Sequence, residues 1–487
     1  VWARLIASLV AVIAVCWLWV GVGKAEWMKP QEGHDHGHQS KAAVFRETAM
    51  HDLLQAGGFL VVGAAVAALM KAAVPAAFMT FLTENLWLGI VVMALLAVLL
   101  SLSTLALAFL ARPIGSALFG HFGDRIGRKK TLVASLLLMG LSTVAIGLLP
   151  NYQSIGLWAP LLLCIFRIGQ GLGLGGEWGG AALVATENAP DGKRAWFGTF
   201  PQLGAPLGLL LANGAFFAVS SSFGPEALVE WAWRIPFVAS IVMVAVGLYM
   251  RLTLHESHVF REAEQRNQKV SAPVKEVVLH YWKPIVQGTF IMTATYVLFY
   301  VMTAFVQVFS KSPAVMSAAG HPMGLGIPAN TFTGFLMIGA VVFGIFTSLS
   351  GIVADRIGRR RWLIWVTVAI IAFGLLMPQF LLNGTPTSVL AFVLVGMVLM
   401  GCTFGPMAAL LPELFPTKVR YSGSSLAYNL AAIVGASLAT IVAIELNAHY
   451  GLIGVGAYLA FNGVLSLLAL ISIHETKDES LLEDPVA

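Results

Sequence analysis

The sequence predicts an all-α polytopic membrane protein made of two copies of one multi-helix unit, and three observations predict it. First, the 487 residues are 58% hydrophobic and 11% charged, with a mean hydropathy of +0.82. A soluble domain averages about 25% charged residues, whereas here apolar runs of about twenty residues, the length a bilayer core demands, recur from end to end. Second, Gly120-His-Phe-Gly-Asp-Arg-Ile-Gly-Arg-Lys-Lys130 sits between two apolar runs and returns as Gly351-Ile-Val-Ala-Asp-Arg-Ile-Gly-Arg-Arg-Arg361, 231 positions later. Third, Glu187-Asn-Ala-Pro190 with Arg194 matches Glu413-Leu-Phe-Pro416 with Arg420 at a separation of 226. Two independent elements at nearly one period mark an internal duplication, the pattern of paired helical bundles.

This composition excludes a soluble enzyme with a large core. The net charge of +5 does not point to nucleic acid, because Lys and Arg sit in short loops between spans, where they set orientation. Cys16, Cys164 and Cys402 each stand alone in an apolar run, so no disulfide framework or metal cluster follows from them.

Taken in order, Ala3–Val22 is apolar and lacks a clean small-residue cleavage site after it, so it reads as a span rather than a signal peptide. A polar segment from Lys24 to Asp52 carries Gly33-His-Asp-His-Gly-His38. Leu53–Phe78 is apolar but interrupted by Lys71 and Pro75, and Leu86–Phe119 exceeds one bilayer crossing, so it is one tilted helix or two segments joined near Ser103. Spans follow near 131–149, 156–180, 197–220, 231–252, 284–309, 331–354, 362–381, 388–411, 422–446 and 452–473. Loops at 124–130, 190–194, 251–283, 355–361 and 413–420 are rich in Lys and Arg, and the loops between them carry almost none besides Lys311. The positive-inside rule places the first set and the C-terminal tail in the cytoplasm.

The repeated stretch offers Gly120, Asp124, Arg125, Gly127, Arg128 and Lys129, with Asp355, Arg356, Gly358 and Arg359 in the second copy. Glycines permit a tight turn and close backbone approach. Together with Glu187, Arg194, Glu413 and Arg420, these residues fit a gate, a charge network holding one conformation and breaking in the other. Topology signal alone is the competing reading, and recurrence of the aspartate and glycines in register favours the gate.

The span over 161–180 carries Arg167, Gln170 and Glu177 on one helical face. Gly169, Gly173, Gly176 and Gly180 form a second stripe that lets a neighbouring helix pack closely. Charges at membrane depth are costly and should face a cavity or each other. A transport role and a structural ion pair both fit, the first preferred. Arg112 either clamps a substrate carboxylate bidentately or snorkels to the interface. Gln202, Asn213, Tyr296, Tyr300, Tyr428 and Asn429 are polar groups on apolar helices that line a central cavity or bond neighbouring helices. His34, Asp35, His36 and His38 are weak metal-ligand candidates in a flexible loop, and no metal or other cofactor is expected. No Gly-x-x-x-x-Gly-Lys-[Ser/Thr] loop supports nucleotide-driven pumping, and no nucleophile–base pair supports an enzyme.

The two repeated loops resemble those between helices two and three, and eight and nine, of the major facilitator superfamily. Arg167-Ile-Gly-Gln-Gly-Leu-Gly-Leu-Gly-Gly-Glu-Trp-Gly-Gly180, Phe200-Pro-Gln-Leu-Gly-Ala-Pro-Leu-Gly208 and Phe404-Gly-Pro406, with Arg420-Tyr-Ser-Gly423, narrow the likeness. They look like the metabolite:proton symporter family, whose members include shikimate, α-ketoglutarate, citrate and proline/betaine permeases. The resemblance runs from about Thr104 to His474. It implies proton-coupled uptake of a small organic acid or zwitterion across a bacterial inner membrane by alternating access, driven by the proton gradient and membrane potential. The implied partners are substrate, proton and lipid bilayer, for a monomeric protein.

Residues 1–103 depart from that family, which opens with an acidic-aromatic first helix. They resemble part of an unrelated predicted permease family related to organoarsenical efflux proteins, so the chain reads as a fusion with a junction near 101–104. The expected organisation is an N-terminal segment (1–103), a first bundle lacking its usual first helix (104–252), a linker (253–283), a second bundle (284–474) and a tail (475–487). The competing functions are a non-transporting fusion or sensor, and metal or metalloid efflux through the N-terminal segment.

Overall fold

The computed structural model describes residues 107–156, 158–253, 273–317, 320–437 and 439–477, all within one compact unit. The expectations for residues 1–106, including the histidine tract and the fusion junction, lie outside the described residues, as do most of the linker and the end of the tail.

Eight stretches among the described residues are helical, long and apolar enough to cross a membrane. We label the helices α1 (107–126), α2 (Arg128–Leu148), α3 (Trp158–Glu187), α4 (Arg194–Gly224), α5 (Leu228–Thr253), α6 (Trp282–Lys311), α7 (Ala329–Ile357), α8 (Arg359–Leu375) and α9 (Pro386–Glu413). The last apolar stretch, Thr417–Ile471, is 55 residues long. At about 1.5 Å per residue it is more than twice a bilayer core, and Gly451, at φ 67°, divides it into α10 (417–450) and α11 (452–471).

The duplication reappears in three dimensions. Helix α1 ends one residue before Gly127 and α7 one residue before Gly358. The two glycines share one backbone state, φ 107° and 102°, where a Cβ would be strained. Each turn between helices is therefore a single residue. The loop expected at 124–130 is shortened by this to Gly127: Phe122 and Ile126 continue the apolar periodicity, and the helix runs through the aspartate to residue 126. The same extension carries α3 seven residues past its expected end, to Glu187. In the linker, Pro273–His280 is helical and packs Val277 with Phe415, Val419 and Leu426.

The glycine stripe of α3 does what its spacing suggests. A Cβ at Gly173 would fall 2.7 Å from Ser135 O, one at Gly180 2.9 Å from Leu132, and one at Gly169 against Ser142, all on α2, while Gly176 faces Phe119 on α1. Close helix–helix contact through small residues is how membrane bundles pack without a hydrophobic driving force. The largest buried apolar cluster, with Val297, Met302, Phe332, Phe343, Phe392 and Val455, lies around α6. By contrast α5 turns Ile241, Val242, Met243, Val246 and Met250 outward, an apolar surface suited to hydrocarbon.

Candidate functional site

At the motif-bearing end, each repeated aspartate reaches across to the other repeat. Asp124, at the end of α1, accepts hydrogen bonds from Tyr421 N at 3.3 Å and Ser422 N at 3.0 Å, and from Ser422 Oγ at 2.7 Å. Asp355, at the end of α7, accepts from Ala195 N at 2.9 Å and Trp196 N at 2.8 Å. Both carboxylates thus sit on the first amides of a helix, α10 or α4, where the helix dipole favours an anion. Gly120 and Gly351 make the approach possible: a Cβ at Gly120 would meet Ser422 Cα at 2.8 Å, and one at Gly351 would meet Ala195 O at 2.9 Å.

Around these contacts lies a buried network of charges. Arg128 pairs with Glu187 at 3.2 Å, and in the second copy Arg359 pairs with Glu413 at 3.4 Å and with Asp355 at 3.3 Å. Arg194 of the first repeat reaches Glu413 of the second at 3.5 Å, and Arg420 answers with electrostatic contact to Glu187. The side chains of Arg128, Arg359 and Glu187 are 0–1% exposed. Charges so enclosed are tolerable only because each is matched. The tail joins in: Glu475 accepts from Arg359 N at 2.8 Å, and Thr476 Oγ1 donates to Glu413. Arg125 and Arg356 are exposed and outside the cross-repeat set, and Lys129 donates to Leu252 O at 2.7 Å.

Deeper along α10, the two repeats meet through polar and aromatic side chains. Tyr421 Oη donates to Gly176 O, and Asn429 Nδ2 donates to Gly175 O at 3.0 Å. Trp178 stacks on Tyr428, ring centroids 3.9 Å apart and planes 5° apart. Trp178 Nε1 donates to Gln202 Oε1 at 2.9 Å, and Gln202 Nε2 donates to Phe404 O at 2.8 Å. Tyr296 lies 5.4 Å from Tyr428, and Tyr300 packs edge-on to Phe109 at 5.6 Å. Arg112 enters this group from α1, its guanidinium 5.4 Å from the Phe109 ring and 6.0 Å from the Tyr296 ring. It is 7% exposed, and it lies about 20 Å along the helix from the Gly127 turn. Snorkelling is therefore not what this side chain does. Arg112 Nε and Asn429 Oδ1 are buried without hydrogen-bond partners. Helical π turns begin at Val301, directly after Tyr300, and at Ile433, a few residues past Asn429.

Other expectations are redistributed. Arg167, Gln170 and Glu177 share a flank of α3 but not a partner set. Arg167 donates to Gln170 at 3.0 Å and Gln170 to Thr143 on α2 at 2.7 Å, while Glu177 is taken by Arg251 of α5, which also donates to Leu132 O. All of these contacts stay within the first repeat. Asn213 bonds its own helix at Leu209 O and does not join the central group. Among the described residues no cluster of His, Cys, Asp and Glu is placed to hold a metal ion.

The sequence did not single out Trp178, Tyr421, Ser422 or Arg251. Trp178 and Tyr421 stand inside quoted motifs, so an aromatic among glycines was the available signal. Arg251 falls among the loop cations, and nothing in its spacing links it to Glu177.

Known proteins share this architecture. The family model for sugar (and other) transporters matches residues 72–485. The inner membrane metabolite transport protein YhjE of Escherichia coli is 53% identical over 386 residues, 79% of this chain and 86% of that protein. The proline/betaine transporter of Salmonella typhimurium is 32% identical over 398 residues, 78% of this chain and 76% of that protein. Among solved structures, the proton:xylose symporter XylE bound to 6-bromo-6-deoxy-D-glucose superposes with a TM-score of 0.61 at 20% identity, covering 79% of this chain and 88% of that one.

Proposed function

The chain belongs to the sugar (and other) transporter family of the major facilitator superfamily, and on that premise we propose that it carries a small organic acid or zwitterionic metabolite across the bacterial inner membrane, coupled to protons, by alternating access. The observation that carries the reading is the reciprocal seating of Asp124 on α10 and Asp355 on α4. Each contact joins one repeat to the other, so separating the repeats at this end breaks both at once. Such paired, all-or-none contacts suit a two-state element better than a rigid scaffold.

In this reading the motif end is cytoplasmic, as its positive loops suggest, and the described contacts belong to the state closed on that side. Arg112, Gln202, Tyr296, Tyr300, Tyr428 and Asn429 form the central substrate region. We assign the proton pathway to Glu177, which pairs with Arg251 through Oε1 and whose Oε2 is buried without a partner. The protein works as a monomer.

The test is uptake of labelled shikimate, α-ketoglutarate, proline and glycine betaine into proteoliposomes with an imposed pH gradient. Accumulation that collapses with a protonophore supports the reading. Absence of gradient-driven uptake and of counterflow for these and related solutes counts against it.

A further inference from the structure

The central group carries information about the charge of its ligand. Arg112 is the cation there, and among the described residues no Asp or Glu comes against it. Its neighbours are Phe109 and the phenols of Tyr296, Tyr428 and Tyr300. A buried guanidinium with an unpartnered Nε is costly in a membrane interior unless an anion meets it. One such cation matches one negative charge. A second carboxylate on the same ligand would arrive without a partner.

The aromatic faces argue against a cationic headgroup. An ammonium is held by open ring faces, but here one face of each of Trp178, Tyr428, Tyr296 and Phe109 is already used. Trp178 and Tyr428 cover each other at 3.9 Å, and Arg112 itself lies over Tyr296 and Phe109. A ligand ammonium would also be brought beside the like charge of Arg112. What remains beside the rings is polar and neutral: the Tyr296 hydroxyl, shared with Arg112 and Tyr428, and Asn429 Oδ1, buried without a partner. One can donate or accept and the other accepts. Groups of this kind are matched by ligand hydroxyls.

We propose that the substrate is a hydroxylated monocarboxylate, held by its single carboxylate on Arg112 and by hydroxyl groups on Tyr296 and Asn429, and that dicarboxylates and betaines are excluded by charge. The inference rests on the transporter reading and on the central placement of Arg112. It narrows the acid-or-zwitterion class, and it departs from the proline/betaine transporter to which the chain is 32% identical.

The experiment compares lactate, shikimate and quinate with α-ketoglutarate and glycine betaine, as uptake into proteoliposomes and as thermal shift of the purified full chain. A hydroxy monoacid should accumulate and stabilise the protein, with the diacid about 100-fold weaker because its second charge is unpaired. Arg112→Gln should weaken monoacid binding by about 10- to 100-fold, the worth of a hydrogen-bonded charge. Tyr296→Phe should narrow the preference for a hydroxylated acid over its deoxy analogue while leaving the preference for monoacid over diacid unchanged. Uptake of betaine or diacid in place of the monoacids overturns the charge class and leaves the transporter reading standing. Neither uptake nor thermal shift with any of the five solutes overturns both.

Discussion

Asp124 and Ser422 are joined twice, through the backbone amide at 3.0 Å and the hydroxyl at 2.7 Å, although 298 residues separate them. Their counterparts by the internal repeat, Asp355 and Trp196, are joined at 2.8 Å. In each case the acceptor is a charged side chain and the donors are first-turn amides. Asp124→Asn or Asp355→Asn keeps the shape and removes the anion, which should cost the closed state about 1–2 kcal/mol. Spin labels at Lys130 and Lys418, on opposite repeats, should then show a longer-distance population in each variant. An unchanged distance distribution in the double variant would mean that the aspartates do not hold this end together.

The buried pairs set a second expectation. Glu187→Gln leaves the enclosed Arg128 with less compensation, and breaking such a pair typically costs about 3–5 kcal/mol. Thermal unfolding in detergent should show a marked loss for Glu187→Gln and for Glu413→Gln. Neutralising the exposed Arg125 or Arg356 should change the melting point little. Equal losses at buried and exposed sites would contradict the sorting of the motif cations described above.

How much of this was legible in the sequence depends on the kind of group involved. The aspartates and glycines recur at a fixed period, so the repeat and its charge were readable. Their acceptor–donor geometry was not, because the donors are backbone amides of Ala195, Trp196, Tyr421 and Ser422, and an amide leaves no mark in residue identity. Gly120 has the composition of a turn residue, yet it is helical and its role is to let α10 approach. A loop starting at Gly120 would leave Arg112 near an interface. The helix runs on to residue 126, and the arginine becomes deep. Glu177 stands out as a charge in an apolar run, while the neighbouring Trp178 makes the cross-repeat contact.

Gly120→Val and Gly351→Val place branched side chains where Ser422 Cα and Ala195 O now sit. The helices cannot close around them without moving apart by about the width of a methyl group. Both variants should fold with near-normal thermal stability and lose at least about tenfold in transport rate, since the closed state is raised by more than about 1.4 kcal/mol. Full transport by either variant would show that the close approach is incidental.

Glu177→Gln tests the proposed proton carrier. A permanently neutral side chain leaves Arg251 without its anionic partner and cannot take up or release a proton. Gradient-driven accumulation should fall to the background, whereas solute counterflow at equal pH on both sides should persist. Loss of both activities together would assign the Glu177–Arg251 pair to structure alone.

The central claim is that the two repeats must part at the motif end in every transport cycle. Gly198 on α4 and Ala408 on α9 face each other across the repeats, and a Cβ added to Gly198 would lie 3.2 Å from the Ala408 Cβ, close to the spacing of a disulfide. The measurement is transport by Gly198→Cys/Ala408→Cys, in a background with Cys16, Cys164 and Cys402 replaced, before and after oxidation and again after reduction. Oxidation should abolish transport and reduction restore it, with both single cysteine variants unaffected by either treatment. Undiminished transport with the cross-link complete would contradict alternating access through this end.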